Sequence, residues 1–325
     1  MPSLDFVKSI WTQHFPPAPT FTEKNIAPQK GKTFLITGAN QGLGYELAKM
    51  LYPTGAKVYM ASRSEERTLQ AIRKIQEAHQ GAATPGTLEF LHVDMADLAS
   101  VQHAAIKFAA QETKLDVLWN NAGIGGAPLG TTTAQNIEGH IGTNCVAPLL
   151  FTQLLLPLLR EAATSAPKGS VRVVWTSSLM VDTHSPPHGV DFKAIEAGKT
   201  TNPNVDYAAS KVGNWFLSHE AAKAWEPYGI FSVVQNPGNL NTEAYRYIPV
   251  MLRKFLQTFL LYETKYGAYT MAYAGLSEEV VNGEYVWPWG RKGKSPRADI
   301  HEAIEKGAAE KFWAWCEEMA KPYLK

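Results

Sequence analysis

The 325 residues predict an α/β fold: a single domain built on a doubly wound parallel sheet of about seven strands, with helices on both faces. Three observations carry this. Short apolar runs alternate with helix-length segments, the pattern of repeated βαβ units. The first run is followed at once by a glycine-rich turn. The chemically unusual residues then fall just past strand ends, where ligands bind in sheets of this kind.

Taken in order, Thr33–Thr37 reads as the first strand, with a helix over roughly Leu43–Tyr52. Lys57–Ser62 is the second, followed by a helix near Glu65–His79, and Leu88–Val93 the third, with a helix over Leu98–Glu112. Leu115–Trp119 is the fourth; its helix is expected across Thr132–Arg160, with Pro148 and Pro157 inside. Val171–Thr176 is the fifth. A proline- and glycine-marked loop then runs to Asn204, ahead of a helix from Asp206 to Trp225 and a sixth strand, Ile230–Gln235. A seventh strand is expected near Glu284–Trp287, and a terminal helix after Ala298. The organisation that follows is an N-terminal arm (1–30), a Rossmann-type domain (31–298) whose 239–265 stretch occupies the place of a substrate lid, and a C-terminal helix (299–325).

Composition excludes several alternatives. At 45% hydrophobic and 19% charged the chain is globular in character. A formal charge of +1 with no run of like charge gives no footprint for a nucleic-acid binder. Two cysteines, Cys145 and Cys316, make no disulfide framework, and there is no Asn-x-Ser/Thr sequon, so a reducing, cytoplasmic compartment is expected. The first thirty residues carry Asp5, Pro16, Pro17 and Pro19 and do not read as a signal peptide. No uninterrupted apolar stretch is long enough to predict a membrane span.

The turn after the first strand is Thr37-Gly-Ala-Asn-Gln-Gly-Leu-Gly44, which places Gly38, Gly42 and Gly44 ahead of a helix. Glycines allow a tight turn and close backbone approach, and a helix N-terminus favours an anionic pyrophosphate. An ordinary βα turn shows the same residues, so the following strand ends matter. At the end of the second strand a carboxylate would bind the adenine ribose of NAD and repel a 2′-phosphate. Here the strand closes Ala61-Ser62-Arg63. Unless Arg63 is simply solvated, this favours NADP(H). Asp94, with Met95 beside it, closes the third strand, where an acid can meet the adenine amino group. Asn120-Asn121-Ala122-Gly123 closes the fourth.

Tyr207 and Lys211 are four apart on the helix after the long loop and share a face. A fixed ammonium beside a phenol stabilises the phenolate and makes it a usable acid or base, although such pairs also occur on ordinary helices. Ser177-Ser178 ends the fifth strand and Asn144 lies in the helix after the fourth.

With these residues together, the chain resembles the short-chain dehydrogenase/reductase superfamily over roughly Lys32 to Val286. Thr37–Gly44 is similar to its TGxxxGxG motif, Asn120–Gly123 to NNAG, Tyr207–Lys211 to YxxxK, and Pro237-Gly-Asn-Leu-Asn-Thr242 to PGx[VIL]xT. Gly38-Ala-Asn40, the Ser210-Lys211-Val-Gly-Asn214 run and the 29-residue offset from Ser178 to Tyr207 resemble the retinol-dehydrogenase-like branch of the classical type. The proline-bearing arm and the aromatic C-terminus resemble fungal ketoreductases of secondary metabolism.

The resemblance implies Tyr207 as proton donor and acceptor, Lys211 holding the nicotinamide ribose and lowering the tyrosine's pKa, Ser178 hydrogen-bonding the carbonyl, and Asn144 anchoring a water. It implies NADP(H) contacts from Gly38, Asn40, Gln41, Gly42, Leu43, Gly44, Arg63, Asp94, Met95, Asn121, Ala122, Gly123, Tyr207, Lys211, Pro237, Gly238, Leu240 and Thr242. Gln41 stands where many NADP-dependent relatives carry a basic residue, so Arg63 would discriminate largely alone. Leu179, Tyr245 and Met251 are the expected substrate contacts, within a stretch whose apolar residues recur at helical spacing. The expected function is reduction of an apolar, aromatic or polyketide-like ketone, or oxidation of its secondary alcohol, with no metal. Alternatives are a retinol- or steroid-type dehydrogenase at a membrane surface and a non-catalytic NADP(H)-binding regulator. A homodimer through the helices that carry Asn144 and Tyr207 is also open.

Overall fold

Alternation along each strand decides which face of the sheet a side chain joins. In the computed structural model, which describes residues 4–200, 202–241 and 261–324, the strand β1 (Thr33–Thr37) is buried throughout. Leu35 packs with Tyr59, Leu118 and Trp175 on one face, while Phe34 and Ile36 pack with Val58, Met60, Trp119 and Val174 on the other. Apolar cover on both faces is what a parallel sheet requires.

The sheet comprises β1, β2 (Lys57–Ser62), β3 (Thr87–His92), β4 (Val117–Asn120), β5 (Val171–Thr176), β6 (Ile230–Gln235), β7 (Tyr285–Trp287) and β8 (Arg291–Gly293). Their spatial order is β3-β2-β1-β4-β5-β6-β7-β8, parallel as far as β7. The reversal between β1 and β4 is the switch point at which ligands bind. The sequence reading of about seven strands is corrected to eight. The edge strand β8 returns antiparallel onto β7 and, being three residues of Arg-Lys-Gly, carries no apolar run to betray it.

The helices are α1 (Leu4–His14), α2 (Gly42–Leu51), α3 (Glu65–Ala78), α4 (Leu98–Gln111), α5 (Gly139–Ser165), α6 (Met180–His184), α7 (Phe192–Glu196), α8 (Pro203–Trp225), α9 (Thr264–Leu276), α10 (Ala298–Glu305) and α11 (Ala308–Ala320). Several depart from the sequence reading. The helix expected over Thr132–Arg160 begins only at Gly139, and the long loop before α8 holds the short α6 and α7. The C-terminal segment folds as two helices, because Gly307 turns left-handed (φ +86°) between them. Helix α9 went unread: it is buried nearly all round, so it has no polar face to set a period. Its C-terminal carbonyls are met from β5 by the Arg172 guanidinium, which donates to Ala274 O at 3.1 Å and Ser277 O at 2.8 Å.

By length and apolar composition α5 passes as a membrane-crossing segment, but 72% of its apolar window is buried inside the fold, the place of a core helix. The N-terminal arm is no loose extension either. Arg291 of β8 donates to Thr12 O at 2.8 Å, so α1 docks on the sheet edge.

Candidate active site

The glycine turn is held by the strand beside it. Asn121 Nδ2 donates to Thr37 O at 2.8 Å, and the backbone N–H groups of Asn121 and Ala122 reach Thr37 Oγ1 at 3.0 and 2.9 Å. Gly38 and Gly42 both have positive φ (+69° and +60°). Gly44 is required by proximity: a Cβ there would lie 2.6 Å from Gly38 O and 2.9 Å from Asn121 Nδ2. Gln41 begins α2 without capping it through its side chain, so the first-turn N–H groups stay available. A Cβ on Gly42 would meet nothing within 4 Å, which leaves open space in front of that helix end. The cradle fits a pyrophosphate.

The other predicted cofactor residues converge on the same edge. Arg63 is 76% exposed at the end of β2, with Nη1 4.0 Å from Asp94 Oδ2 at the end of β3. Met95 is buried beside it. Leu43 and Leu240 close on Gly267 of α9, where any Cβ would collide with both side chains. Leu240 bridges to Tyr262, and Asn241 N–H donates to Tyr262 O at 2.9 Å, so the two ends of the 239–265 stretch are pinned together. Asn40 lies in the turn itself, and Gly123 follows the strand β4. Thr242, Tyr245 and Met251 lie outside the described residues.

Lys211 and Tyr207 emerge from α8 next to the end of β5. Lys211 is buried, and its Nζ donates to Thr176 O at 3.0 Å, a carbonyl shared with Asn214 Nδ2 at 2.9 Å. Burial pulls the Lys211 ammonium down to about 8. Its Nζ lies 5.5 Å from the centre of the half-buried Tyr207 ring. Gly123 backs onto both Lys211 and Asn144, where a Cβ would lie 2.9 Å from Asn144 Oδ1, and Gly125 packs closely on the Tyr207 ring, where a Cβ would lie 3.2 Å from it.

Ser178 is partly exposed, and its Oγ accepts from Met180 N–H at 3.2 Å, which leaves the hydroxyl proton to donate. Ser177 points away: its hydroxyl donates to Lys211 O at 2.9 Å and accepts from Tyr285 at 3.2 Å. Leu179 is buried but belongs to neither core cluster. Asn144 sits in a π-helical turn, Gly142–Val146, within α5. Both its amide hydrogens are committed, to Ile124 O (3.0 Å) and Ser210 Oγ (2.9 Å), while Oδ1 accepts from Ile124 N–H (2.8 Å). A water anchored by this side chain has only the remaining Oδ1 lone pair.

Sequence reading missed a buried pair on the same wall. His140 packs edge-on to Tyr207 with ring centres 6.2 Å apart, and its Nδ1 lies 3.0 Å from Glu138 Oε1. Ala127 N–H donates to His140 Nε2 at 3.3 Å, which assigns the other ring nitrogen as the donor to Glu138. The pair therefore holds the loop over Tyr207. His140 stands one helical turn before Asn144, a spacing that could have flagged it. Cys145 is fully buried and bonded to Ser210 O, and burial raises its thiol, the setting of an unreactive cysteine. Among the described residues no three His, Cys, Asp or Glu side chains are placed to hold a metal.

This arrangement can bind a dinucleotide along the strand ends and deliver a proton at Tyr207. A family model described as short chain dehydrogenase matches residues 32–190. The chain is 51% identical over 321 residues to the short-chain dehydrogenase/reductase iacJ of Pestalotiopsis fici, covering 97% of this chain and 98% of that protein. It is 42% identical to a short-chain dehydrogenase/reductase of Phomopsis amygdali, covering 99% of each. A crystal structure of a Mycobacterium paratuberculosis protein superposes with a TM-score of 0.69 at 26% identity, covering 93% of this chain and 97% of that one. The Pseudomonas aeruginosa RhlG/NADP complex gives 0.61 at 22%, covering 83% and 96%, a likeness of fold. Near-complete alignment at this identity, with the glycine turn, the Asn121 brace and the Tyr207–Lys211 face all in place, makes the chain a member of the short-chain dehydrogenase/reductase superfamily, a family of nicotinamide-dependent oxidoreductases.

Proposed function

We propose that the protein is an NADP(H)-dependent carbonyl reductase or alcohol dehydrogenase of apolar ketones and secondary alcohols, aromatic or polyketide-like in character. The observation that carries this is the buried Lys211 ammonium, held on Thr176 O beside the Tyr207 ring, with the Ser178 hydroxyl just past the same strand and no acceptor for its proton among the described residues. A regulator that only sensed dinucleotide could use Lys211 to hold the ribose but would not need Asn144, Ser178, Tyr207 and Lys211 together.

The bound nicotinamide supplies or accepts the hydride. Tyr207 donates its phenolic proton to the carbonyl oxygen in reduction and recovers it in oxidation. Lys211 stabilises the phenolate in between, and Ser178 donates to the same oxygen as negative charge builds there. The 2′-phosphate is assigned to Arg63, with Asp94 beside it on the adenine side. The substrate class rests on Tyr245, Tyr247, Ile248, Met251, Leu252, Phe255 and Phe259, an apolar sequence between the pinned ends of the 239–265 stretch. Retinol- or steroid-type lipids remain the second reading of that apolar stretch, and secondary metabolism the setting in which such ketones arise.

The test is loss of reduced-nicotinamide absorbance with purified protein over a panel of ketones, aldehydes, quinones and polyketide-like carbonyls, with NADPH and NADH in parallel. Turnover with NADPH that disappears in Tyr207→Phe is the expected result. Wild-type turnover in Tyr207→Phe, or failure to bind either dinucleotide, would overturn the reading.

A further inference from the structure

Both ends of the chain meet at one buried carboxylate next to the site. Asp182 lies one turn beyond Ser178 on α6 and is 4% exposed. Its Oδ1 accepts from the Ser295 hydroxyl at 2.5 Å, ahead of the C-terminal helices. Its Oδ2 accepts from Gln13 Nε2 of α1 at 2.9 Å. On the other side of the same amide, Gln13 Oε1 accepts from Asn236 Nδ2 at 2.8 Å, and Asn236 Oδ1 accepts from Gly238 N–H at 3.0 Å. Gln13 and Asn236 are each 1% exposed.

The sense of this chain is fixed by its ends. An amide's oxygen and nitrogen are normally assigned only from their partners. Here a backbone N–H, which can only donate, stands at one end, and a carboxylate accepting at both oxygens stands at the other. Every group between must therefore run Gly238 to Asn236 to Gln13 to Asp182. Substitute an amide for the carboxylate and one of these bonds must fail or reverse.

We infer that Gln13, acting with Asp182, is a positioning residue for the reaction: the N-terminal helix inserts one amide that sets the Gly238 turn against the Ser178 segment. The inference rests on the proposed function, which places Ser178 at the carbonyl, and on Pro237–Gly238 lying against the NADP(H), as the family resemblance implies. Those two segments leave the ends of neighbouring strands, β5 and β6, which are joined directly where Ser177 N–H donates to Gln235 O at 2.7 Å; the Gln13 amide is a second tie, made beyond the strand ends. Hydride and proton must reach one carbonyl together, so their separation controls rate more than affinity. Retaining the carboxylate is costly, since burial raises Asp182 against the opposing pull of Ser295, Gln13, Arg297 and His301. With its folded pKa raised, its contribution to stability is present at acid pH and lost as pH rises through that pKa, so a purely structural role would favour asparagine.

The test compares kcat, KM and thermal midpoint for Gln13→Ala, Gln13→Glu and Asp182→Asn with the substrate that wild type turns over. Gln13→Ala is expected to lower kcat about tenfold or more with little change in substrate KM. In Gln13→Glu the introduced carboxyl faces Asp182. When the two share a proton it copies the donor and acceptor pattern of the amide, and when both ionise they repel. Its kcat relative to wild type should therefore climb as pH falls from about 8 to about 6. Taking the ratio to wild type cancels the groups already around the pair: Arg297, His301, Tyr285, His184, His14 and Arg291. Asp182→Asn should keep or raise the thermal midpoint while losing kcat, and it serves where Gln13→Ala fails to fold. Wild-type kcat in either neutral variant, or a pH-independent ratio in Gln13→Glu, overturns the inference. A wild-type protein that neither binds nor oxidises NADPH would instead overturn the functional reading beneath it.

Discussion

Lys211 Nζ donates to the main-chain oxygen of Thr176 at 3.0 Å, tying the helix that carries Tyr207 to the strand end that leads to Ser178. The ammonium is thereby fixed in direction but not solvated, which is why its pKa falls to about 8. In the proposed mechanism a charge held this way serves the tyrosine at the expense of the fold.

Lys211→Met should therefore gain stability as it loses function. The lysine's folded pKa lies below its unfolded value of 10.5, so its favourable contribution is present above pH 10.5 and lost as pH falls towards 8. At pH 7 the variant should be more stable by up to about 3 kcal/mol, with kcat down by about 100-fold or more. Denaturation midpoints measured from neutral to alkaline pH should show the two proteins converging. A variant less stable than wild type at pH 7 would contradict this account.

Arg63 stands exposed over the end of β2, with Asp94 its ion-pair partner among the described residues, at 4.0 Å. Under the proposed function its value lies in a ligand phosphate, since exposed ion pairs contribute little to folding. Arg63→Ala should weaken NADPH binding by about tenfold to 100-fold, leaving NADH binding and the thermal midpoint nearly unchanged. Equal losses for both dinucleotides, read by fluorescence titration, would remove the discrimination from this residue.

Gly44→Ala tests the packing of the turn. The new methyl would lie 2.6 Å from Gly38 O and 2.9 Å from the Asn121 amide that braces the turn. A destabilisation of about 1–3 kcal/mol is expected, with weaker dinucleotide binding. An Asn121→Ala background should absorb part of that cost, which a double-mutant cycle would show.

Glu138 is buried; burial pushes its carboxyl up, but the bonds from His140 and from Ile141 N–H outweigh this and hold it below the usual range. A lowered carboxylate contributes stability above its unfolded pKa and loses it as pH falls through the folded one. Glu138→Gln should flatten the acid limb of the stability profile and release the His140–Ala127 contact that holds the loop over Tyr207. Faster hydrogen exchange at residues 124–127, with a higher KM for carbonyl substrates, is the expected readout. An unchanged acid limb would mean that Glu138 carries no such charge.

Local physics made much of this protein legible from sequence alone. Strands β1, β2, β5 and β6 coincide with the apolar runs that predicted them, because a strand buried on both faces must be continuously apolar. The glycine turn, Arg63, Asn121 and the Tyr207–Lys211 face were equally visible, since turn chemistry and helical spacing are short-range properties. Helix α9 was not, because a helix buried nearly all round has no polar stripe. Strand β8 was not, because Arg-Lys-Gly becomes a strand only by pairing with β7.

Only the tertiary structure decided how the site is braced. Gln13 meets Asp182 across 169 positions and Asn236 across 223, and no periodicity links residues so far apart. The motifs settled which chemical groups are present, since those depend on residue type and local spacing. Which groups share a buried hydrogen bond depends on where the sheet brings the chain back together. That is why the N-terminal arm reads as an appendage in the sequence and stands beside Asp182 of α6, just past Ser178, in the fold.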